Sequence, residues 1–139
     1  MADETRSDTV LFSFPIRVYW EDTDAGGVVY HASYLRFLER ARTEWLRAKG
    51  VGQQALRESD DLVLVVRDMN IDFHKPARLD DQLLVSVVLT ERRTASLLIE
   101  QAISRGDQAL VRARVRVACL VASSFRPRPL PEWLATDLS

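Results

Sequence analysis

The amino-acid sequence predicts one α+β domain in which an antiparallel sheet of about five strands wraps around a single long helix. The first observation is a stretch of helical periodicity, with one alternating segment before it and four β-rich segments after it. The second is that the connections among the last four segments are too short for crossover helices, which makes these strands antiparallel. With 139 residues, 47% of them apolar, the chain can bury the core of one domain.

The first element is predicted to be a strand over residues 10–20. Every even-numbered residue in this segment is apolar, which is the period-two pattern of a strand with one buried face. Pro15 has no amide hydrogen to donate, so we expect an edge strand or a bulge there. Residues 1–9 are expected to be disordered, and they lack the basic and apolar regions of a signal peptide.

The second element is predicted to be one helix over residues 33–49. Apolar residues recur there at helical spacing. Ser33 is expected to be the N-cap, and Gly50 to end the helix. Arg40 and Glu44 lie one turn apart on the polar face, so we expect an ion pair with a small effect on stability.

The rest of the chain is predicted to be mainly β-structure. Residues 62–73 alternate, and residues 83–90 are apolar on both faces, which is typical of a strand inside a sheet. Residues 95–103 and 109–121 flank a glycine-containing hairpin connection. Residues 126–139 are assigned to a proline-rich C-terminal tail, and its segment 126–131 is expected to be an extended strap on the surface.

Composition excludes several classes of function. A formal net charge of −1 argues against a nucleic-acid or membrane-surface partner, and no apolar run approaches the length of a transmembrane segment. The single cysteine, Cys119, excludes an intramolecular disulfide framework and a cysteine-based zinc site, and we expect it in the core. His74 has no clustered metal-ligand set around it, so it is expected to be a strand-end residue. We therefore predict a cytoplasmic protein without a metal site.

The connection over residues 21–31 is the best candidate for a functional loop. It reads EDTDAGGVVYH, and a rigid scaffold often presents function on such a loop. Asp24 is the leading candidate, as a nucleophile or general base. The alternative is a structural Asx turn, the commonest role of aspartate in such places. Asp22 is an almost equal candidate.

The end of this loop can bind a developing negative charge. His31 is a candidate acid or base, or a group that orients a substrate oxygen, with a structural helix-entry residue as the alternative. The free N–H groups of residues 31–33 at the helix start can stabilise an oxyanion. The pair Gly26-Gly27 is expected to supply a positive φ or a close approach of the backbone to a ligand.

Other polar residues have both a functional and a structural interpretation. Glu39 is a possible catalytic partner on the helix, or a solvated or ion-paired glutamate. Arg92 and Arg93 lie at a strand connection that could bind a phosphate or form a plain turn. A row of arginines on the last strand could bind a polyphosphate, although Glu100 on the preceding strand favours pairing across the sheet (Arg112, Arg114 and Arg116).

Residues 19–34, which read YWEDTDAGGVVYHASY, closely resemble the acyl-CoA thioesterases associated with the bacterial Tol–Pal system. These enzymes belong to the 4-hydroxybenzoyl-CoA thioesterase group of hotdog-fold proteins. The matches continue through FLERAR, FHKPARLDD and PRPLP (residues 37–42, 73–81 and 127–131). The likeness therefore covers most of the chain.

The resemblance implies a fold, an assembly and an activity. The hotdog fold is an antiparallel sheet wrapped around a helix, and its protomers pair their sheets with active sites at the dimer interface, so we expect a homodimer or homotetramer. Asp24 is implied as the catalytic carboxylate, and the helix start near His31 would polarise the thioester carbonyl. Gly27 and Tyr30 would help to form the substrate site. The implied reaction hydrolyses short- or medium-chain aliphatic acyl-CoA to free acid and CoA, without a cofactor.

The chain departs from the aromatic-specific members of the group at three places. His31 stands where they have tyrosine, which favours the Tol–Pal branch. They bring a glycine amide to the carbonyl from the start of the second strand, where this chain has Val63 or a neighbour. Val63 is therefore kept only as a substrate-binding candidate. Their basic turn for the CoA phosphates resembles Arg92 and Arg93, but a lysine of that pattern is replaced by Ala95.

Two other classes of function stay open. One is a binding protein for an acyl carrier protein or an envelope-complex partner, with hydrolysis vestigial. The other is a hydratase or dehydratase, because one fold can carry several activities. The Asp24 loop favours hydrolysis over both.

Overall fold

The computed structural model describes residues 12–139. The strands are β1 (Phe12–Arg17), β2 (Leu62–Phe73), β3 (Gln82–Arg92), β4 (Ser96–Arg105) and β5 (Gln108–Val121), and the helices are α1 (His31–Ala48), α2 (Gln53–Asp60) and α3 (Glu132–Asp137). All neighbouring strands are antiparallel, in the order β1-β3-β4-β5-β2. The predicted α+β class with five antiparallel strands is confirmed.

The core lies between α1 and one face of the sheet. The buried stripe of α1 follows the predicted helical spacing and includes Phe37, Leu38, Ala41 and Trp45, each at most 3% exposed. It joins alternate residues of the inner strands in one apolar cluster. The side-chain amide of Gln101 is buried there and donates to the main-chain carbonyl of Leu38. Burial of this apolar stripe is what fixes α1 on the sheet.

The predicted strand over residues 10–20 is too long at its C-terminal end. β1 ends at Arg17, Trp20–Asp22 forms a 3₁₀ turn, and Trp20 is 77% exposed instead of buried. Val18 exchanges main-chain hydrogen bonds with Asp80 and Asp81, and the chain turns after it. The edge position predicted from Pro15 is confirmed, since β1 is an edge strand. The expectation for residues 1–9 lies outside the described residues.

The boundaries of α1 differ from the prediction at its start. The helix begins at His31 with Tyr30 as its N-cap, so the assignment of Ser33 as the N-cap is wrong. The Ser33 hydroxyl is instead buried in the first turn and donates to the carbonyl of Asp22 at 3.1 Å. Gly50 ends the helix with a φ of +80°, as predicted. The ion pair of Glu44 is with Arg47, not with Arg40.

Two short helices were not predicted. α2 buries Leu56, and α3, which follows the proline-rich segment, buries Leu134. Residues 126–131 are extended and none of them is buried, as predicted, whereas Leu134 and Leu138 are 0% and 1% exposed, so the end of the tail belongs to the core. A helix of one or two turns with one or two buried residues has no measurable periodicity.

Cys119 lies in the core, as predicted, and burial raises the pKa of its thiol. The predicted glycine-containing hairpin between β4 and β5 is confirmed, but its connection is shorter than the predicted residues 105–108: only two residues lie between the strands, with Gly106 at a φ of +59°. Within residues 12–139, none of the helices is long and apolar enough to cross a membrane.

The strand register divides the sheet into two ends. At one, the Phe73 end, Arg17 pairs with Gln82 and Phe73 pairs with Val111. At the other, the Arg92 end, paired residues run in a row across four strands (Arg92, Leu97, Val117 and Val66). The 11 residues of β3 separate these ends by about 33 Å. A residue can therefore lie in the same sheet as another and still be out of its reach.

Candidate active site

The Asp24 loop, which comprises residues 18–30, lies at the Phe73 end of the sheet, and main-chain hydrogen bonds within it form a tight turn around Asp24. The amide of Asp24 donates to the carbonyl of Val28 at 2.9 Å, and the amide of Gly27 donates to the carbonyl of Asp24 at 3.0 Å. Gly27 has a φ of +79°, a conformation that glycine adopts without strain. The predicted positive φ of the glycine pair is confirmed and belongs to Gly27.

The Asp24 carboxylate is exposed at the surface of this loop. Its Oδ1 accepts a hydrogen bond from the amide of Gly26 at 2.8 Å, which is the Asx turn that we considered as the structural alternative. Among residues 12–139, no group donates a hydrogen bond to its Oδ2. The turn therefore orients the carboxylate and leaves one oxygen available for chemistry.

The loop is fastened to the connection between β2 and β3. The amide of Val29 donates to the carbonyl of Ala77 at 2.9 Å, and Val28 forms an isolated β-bridge with Arg78. The buried hydroxyl of Tyr34 on α1 accepts the amide of Ala77 at 2.9 Å. Loop, helix and connection are thus held together by main-chain hydrogen bonds and by the Tyr34 hydroxyl.

The first turn of α1 offers two free donors beside the loop. In the described part of the chain, the amides of His31 and Ala32 donate to no acceptor, whereas the amide of Ser33 donates to the carbonyl of Tyr30 at 2.8 Å. Of the three amides over residues 31–33 that were predicted to be free donors, two are therefore free, those of His31 and Ala32. The rings of His31 and Tyr30 are 4.4 Å apart, and both residues are exposed. Tyr30 and His31 thus frame the donors instead of filling the core.

A groove of about 340 Å³ lies on the other half of α1, towards the Arg92 end of the sheet. Its polar wall includes Glu39 and Arg42, and its apolar wall comes from strand residues and from α1 (Leu46, Leu64, Val65, Leu97, Ile99 and Val117). Desolvation lowers the pKa of Arg42, and the nearby charge of Glu39 opposes this. Glu39 lies about 12 Å along the helix axis from His31.

The remaining predicted site residues lie away from Asp24 in the same protomer. Arg92 and Arg93 are at the Arg92 end, where Arg92 donates to the carbonyl of Ala135 at 2.8 Å and Arg93 pairs with Glu91. The hydrogen bond from Arg93 and the positive charge of Arg93 lower the pKa of the Glu91 carboxyl. Val63 pairs with Leu120 and does not line the groove, although its neighbours Leu64 and Val65 do. One protomer does not bring these three residues to the Asp24 loop.

The arginine row of β5 and His74 have contacts that fit a structural role. Arg114 lies 3.8 Å from Glu100, which is the pairing that we favoured for the arginine row. The amide of His74 donates to the carbonyl of Leu110 directly after β2, as expected for a strand-end residue. Residues 12–139 contain no cluster of three or more His, Cys, Asp or Glu that could hold a metal ion.

Sequence reasoning missed the partners that hold the loop. Arg36 donates to the Ser33 hydroxyl at 2.8 Å and lies 3.6 Å from the Asp22 carboxylate. The spacing of Ser33 and Arg36 on one helix face could have suggested this contact, but the position of Asp22 opposite them depends on the fold. Gly26 was considered for a positive φ or for the approach of a ligand, whereas the group next to it is the Asp24 carboxylate.

Three comparisons with known proteins each find similarity to thioesterases. Residues 18–138 match the family model of the thioesterase-like superfamily. The acyl-CoA thioesterase YbgC of Haemophilus influenzae is 49% identical over 87% of this chain and 89% of its own length, and the acyl-CoA thioester hydrolase YbgC of Escherichia coli O6:H1 is 46% identical over 94% and 97%. The crystal structure of a probable thioesterase from Bartonella henselae is 39% identical, covers 88% of this chain and all of its own, and superposes with a TM-score of 0.83.

The fold and these matches define a hotdog thioesterase. The chain belongs to the thioesterase-like superfamily. The predicted enzyme class, acyl-CoA thioester hydrolase, is confirmed by relatives that are 46–49% identical over most of the chain.

The two glycines of the Asp24 loop are expected to respond differently to alanine. A Cβ on Gly26 would lie 3.2 Å from Asp24 Oδ1, so the carboxylate must shift by a few tenths of an ångström. We expect Gly26→Ala to lower kcat about tenfold with little change in stability, because catalysis is sensitive to such shifts. A Cβ on Gly27 meets no atom within 4 Å, but its positive φ is strained for alanine.

Gly27→Ala is therefore expected to lower the free energy of unfolding by about 1–2 kcal/mol. Steady-state kinetics and chemical denaturation of both variants separate the two effects. Equal kcat for Gly26→Ala and wild type would show that the Asp24 carboxylate need not be held where the turn places it.

Proposed function

We propose that the protein hydrolyses short- or medium-chain aliphatic acyl-CoA to the free acid and CoA, with Asp24 as nucleophile or general base. The observation that carries this proposal is a carboxylate with a free oxygen in the Asp24 loop, followed directly by two free amides at the start of α1. The names of the YbgC relatives support the same substrate class.

The chemistry follows from these groups. The thioester carbonyl oxygen would lie against the amides of His31 and Ala32, where the helix dipole also favours negative charge. As charge develops on that oxygen, each fixed donor stabilises the transition state by about 3 kcal/mol. Asp24 either attacks the carbonyl carbon to give a mixed anhydride, which water then hydrolyses, or deprotonates the attacking water. In both routes the C–S bond breaks, and CoA leaves as a thiolate that takes up a proton.

His31 and Tyr30 have supporting roles in this scheme. The exposed His31 ring stands at the first residue of α1 and would position the carbonyl or the water. The Tyr30 ring packs against it at 4.4 Å and would form one wall of the substrate site, with Gly27 opposite. Thiolate is a good leaving group, so a carboxylate suffices without a serine triad.

A second protomer would complete the site. β2 is an edge strand, and antiparallel pairing of β2 with its copy across a two-fold axis would place the Arg92 end of one sheet beside the Phe73 end of the other. The groove and the pair Arg92-Arg93 of one protomer would then face the Asp24 loop of its partner. We propose that the groove binds the acyl group and that these arginines bind CoA phosphates. A homodimer, or a tetramer made from two such dimers, is the assembly that this site requires.

The groove favours an aliphatic acyl group of limited length. Its volume of about 340 Å³ falls at the lower end of the range for small-molecule sites. Its strand wall is formed by leucine, isoleucine and valine, which suits methylene groups. The association with Tol–Pal stays a prediction from the resemblance, and the cytoplasmic location and an interaction with acyl carrier protein stay predictions as well.

Subunit mixing tests the proposed site. We expect purified wild-type protein to release CoA from acyl-CoAs of graded length, detected with a thiol reagent to which the buried Cys119 is inaccessible. Asp24→Asn and the double variant Arg92→Ala/Arg93→Ala are each expected to have low kcat/KM. In a fully exchanged one-to-one mixture, half of the dimers are mixed and each has one intact site, so about a quarter of the wild-type rate should return.

No recovery on mixing, with exchange verified by mass spectrometry, would contradict a site shared between protomers. A double variant with wild-type kcat/KM would contradict the phosphate role of Arg92 and Arg93. Aromatic acyl-CoAs belong in the same panel, and preference for them would overturn the aliphatic assignment. CoA binding without turnover of any substrate would instead indicate an acyl-carrier or partner-binding protein.

A further inference from the structure

Asp22 is a buried carboxylate that the proposed reaction does not use. It lies at the end of the 3₁₀ turn Trp20–Asp22 and is only 2% exposed. Its Oδ2 accepts a hydrogen bond from the amide of Tyr19 at 2.8 Å, whereas its Oδ1 has no hydrogen-bond partner among residues 12–139. A buried carboxylate oxygen without a hydrogen bond destabilises a fold, so its presence requires an explanation.

The nearest opposite charge to this oxygen comes from the first turns of α1. Arg36 Nη2 lies 3.6 Å from Asp22 Oδ1, and the same nitrogen donates to the Ser33 hydroxyl at 2.8 Å. That hydroxyl donates in turn to the main-chain carbonyl of Asp22 at 3.1 Å. The amide of Tyr30 donates to the same carbonyl at 2.9 Å. Residue 22 is therefore tied to the start of the helix by both its side chain and its backbone.

This anchor is placed where it controls the catalytic geometry. One residue, Thr23, separates Asp22 from Asp24, and Thr23 is itself fixed by hydrogen bonds from its amide and its hydroxyl to the carbonyl of Trp20. The free amides of His31 and Ala32 follow directly after Tyr30, whose own amide donates to the carbonyl of Asp22. Asp22 itself faces inward, away from any substrate that Asp24 could reach.

We propose that Asp22 is a positioning residue that fixes the Asp24 carboxylate relative to the free amides at the start of α1. It acts through the Tyr19 amide and Arg36, and it touches neither substrate nor reacting atoms. The inference rests on the proposed function for its kinetic consequence. Its structural consequence, an Asp24 loop held rigid by Asp22, is independent of any activity.

Asp22→Asn tests the proposal, since asparagine can still accept the Tyr19 amide but has no charge to attract Arg36. We expect kcat to fall about 10–100-fold with KM within about threefold of wild type, because a displacement of about 1 Å in a catalytic group costs that much. Amide hydrogen exchange over residues 23–30 is expected to rise about tenfold. Arg36→Gln removes the other partner from a half-exposed position and should shift both readouts in the same direction.

Asp61→Asn is the matched control. The Asp61 carboxylate accepts the amide and the hydroxyl of Ser123 at 2.9 and 2.7 Å, before β2 and away from the Asp24 loop of the same protomer. We expect this variant to keep wild-type kcat and wild-type exchange over residues 23–30.

A double variant shows whether Asp22 acts through Asp24. On an Asp24→Asn background, Asp22→Asn should lower the residual rate by less than about twofold. A further drop as large as in the wild-type background would overturn the inference, as would an unchanged kcat or unchanged exchange over residues 23–30. A wild-type protein that hydrolyses no acyl-CoA would refute the proposed function alone, and the exchange data would then decide on Asp22. Arg36→Gln supplies both readouts if Asp22→Asn does not fold.

Discussion

Asp24→Asn is expected to lower kcat for acyl-CoA hydrolysis by at least about 10³-fold, because an amide can neither attack the carbonyl nor take a proton from water. Asparagine can still accept the Gly26 amide, so the Asx turn and the loop should persist. We therefore expect an unchanged melting temperature and unchanged binding of CoA. Stopped assays with long incubation and high enzyme concentration measure the residual rate.

The control for this variant is Asp107→Asn in the β4–β5 hairpin, an exposed aspartate away from the loop's hydrogen bonds. It should keep the wild-type kcat. A kcat of the Asp24→Asn enzyme within about tenfold of the wild-type kcat would exclude Asp24 as the nucleophile or base.

Isotope labelling can establish a covalent role of Asp24. If the carboxylate attacks, a turnover in H₂¹⁸O transfers solvent oxygen either to the released acid or to Asp24, depending on which anhydride carbon water attacks. If it acts as a base, ¹⁸O appears only in the acid. Mass spectrometry of the peptide that contains Asp24 detects this label: a labelled Asp24 side chain requires the covalent route, whereas an unlabelled one is compatible with both routes.

The largest expected loss of stability comes from Phe37→Ala. Phe37 is fully buried on the stripe of α1 that faces the sheet, so its removal leaves a cavity that the sheet cannot fill. We expect the free energy of unfolding to fall by about 3–5 kcal/mol. Urea denaturation at one fixed protein concentration measures this loss, because subunit association would add to the apparent stability.

Leu35→Ala on the opposite face of the same helix is the matched control. Leu35 is 45% exposed, and we expect its loss to cost less than about 1 kcal/mol. Equal effects of the two substitutions would mean that the core does not fix α1 as described.

Features set by local pattern could be predicted from the sequence. The buried stripe through Ala41 and Trp45, the end of α1 at Gly50 and the β4–β5 hairpin all follow from the spacing of neighbouring residues. The functional loop was also visible, because its acidic and glycine residues occur together in one short connection. Its Asx turn and positive φ both lie within a few residues of Asp24.

Features set by distant contacts could not be predicted. Alternation continues to Trp20, but the strand ends where Val18 meets Asp80 and Asp81, more than 60 residues later in the chain. Ser33 has the chemistry of an N-cap, yet its hydroxyl bonds to Asp22, 11 residues earlier. In both cases a tertiary hydrogen bond overrides a local preference.

The division of the candidate site between the two ends of the sheet is a result of register. Arg92 and Asp24 both looked like parts of one site in the sequence, because a linear pattern contains no information on which strand ends meet. In one protomer the length of β3, about 33 Å, separates the end of the sheet that carries Arg92 from the end at which the Asp24 loop lies. Side chains supplied by two copies of a chain cannot be distinguished in a single sequence.

The burial of Leu134 and Leu138 has a consequence for biosynthesis. These leucines enter the core after every strand has been made, and Arg92 and Lys49 hold the segment through carbonyls of Ala135 and Ser139. A chain whose translation stops before Glu132 has all five strands and α1, but an open core. Such a truncated product should be recognised by chaperones and proteases, so premature termination even this late is expected to yield little stable protein.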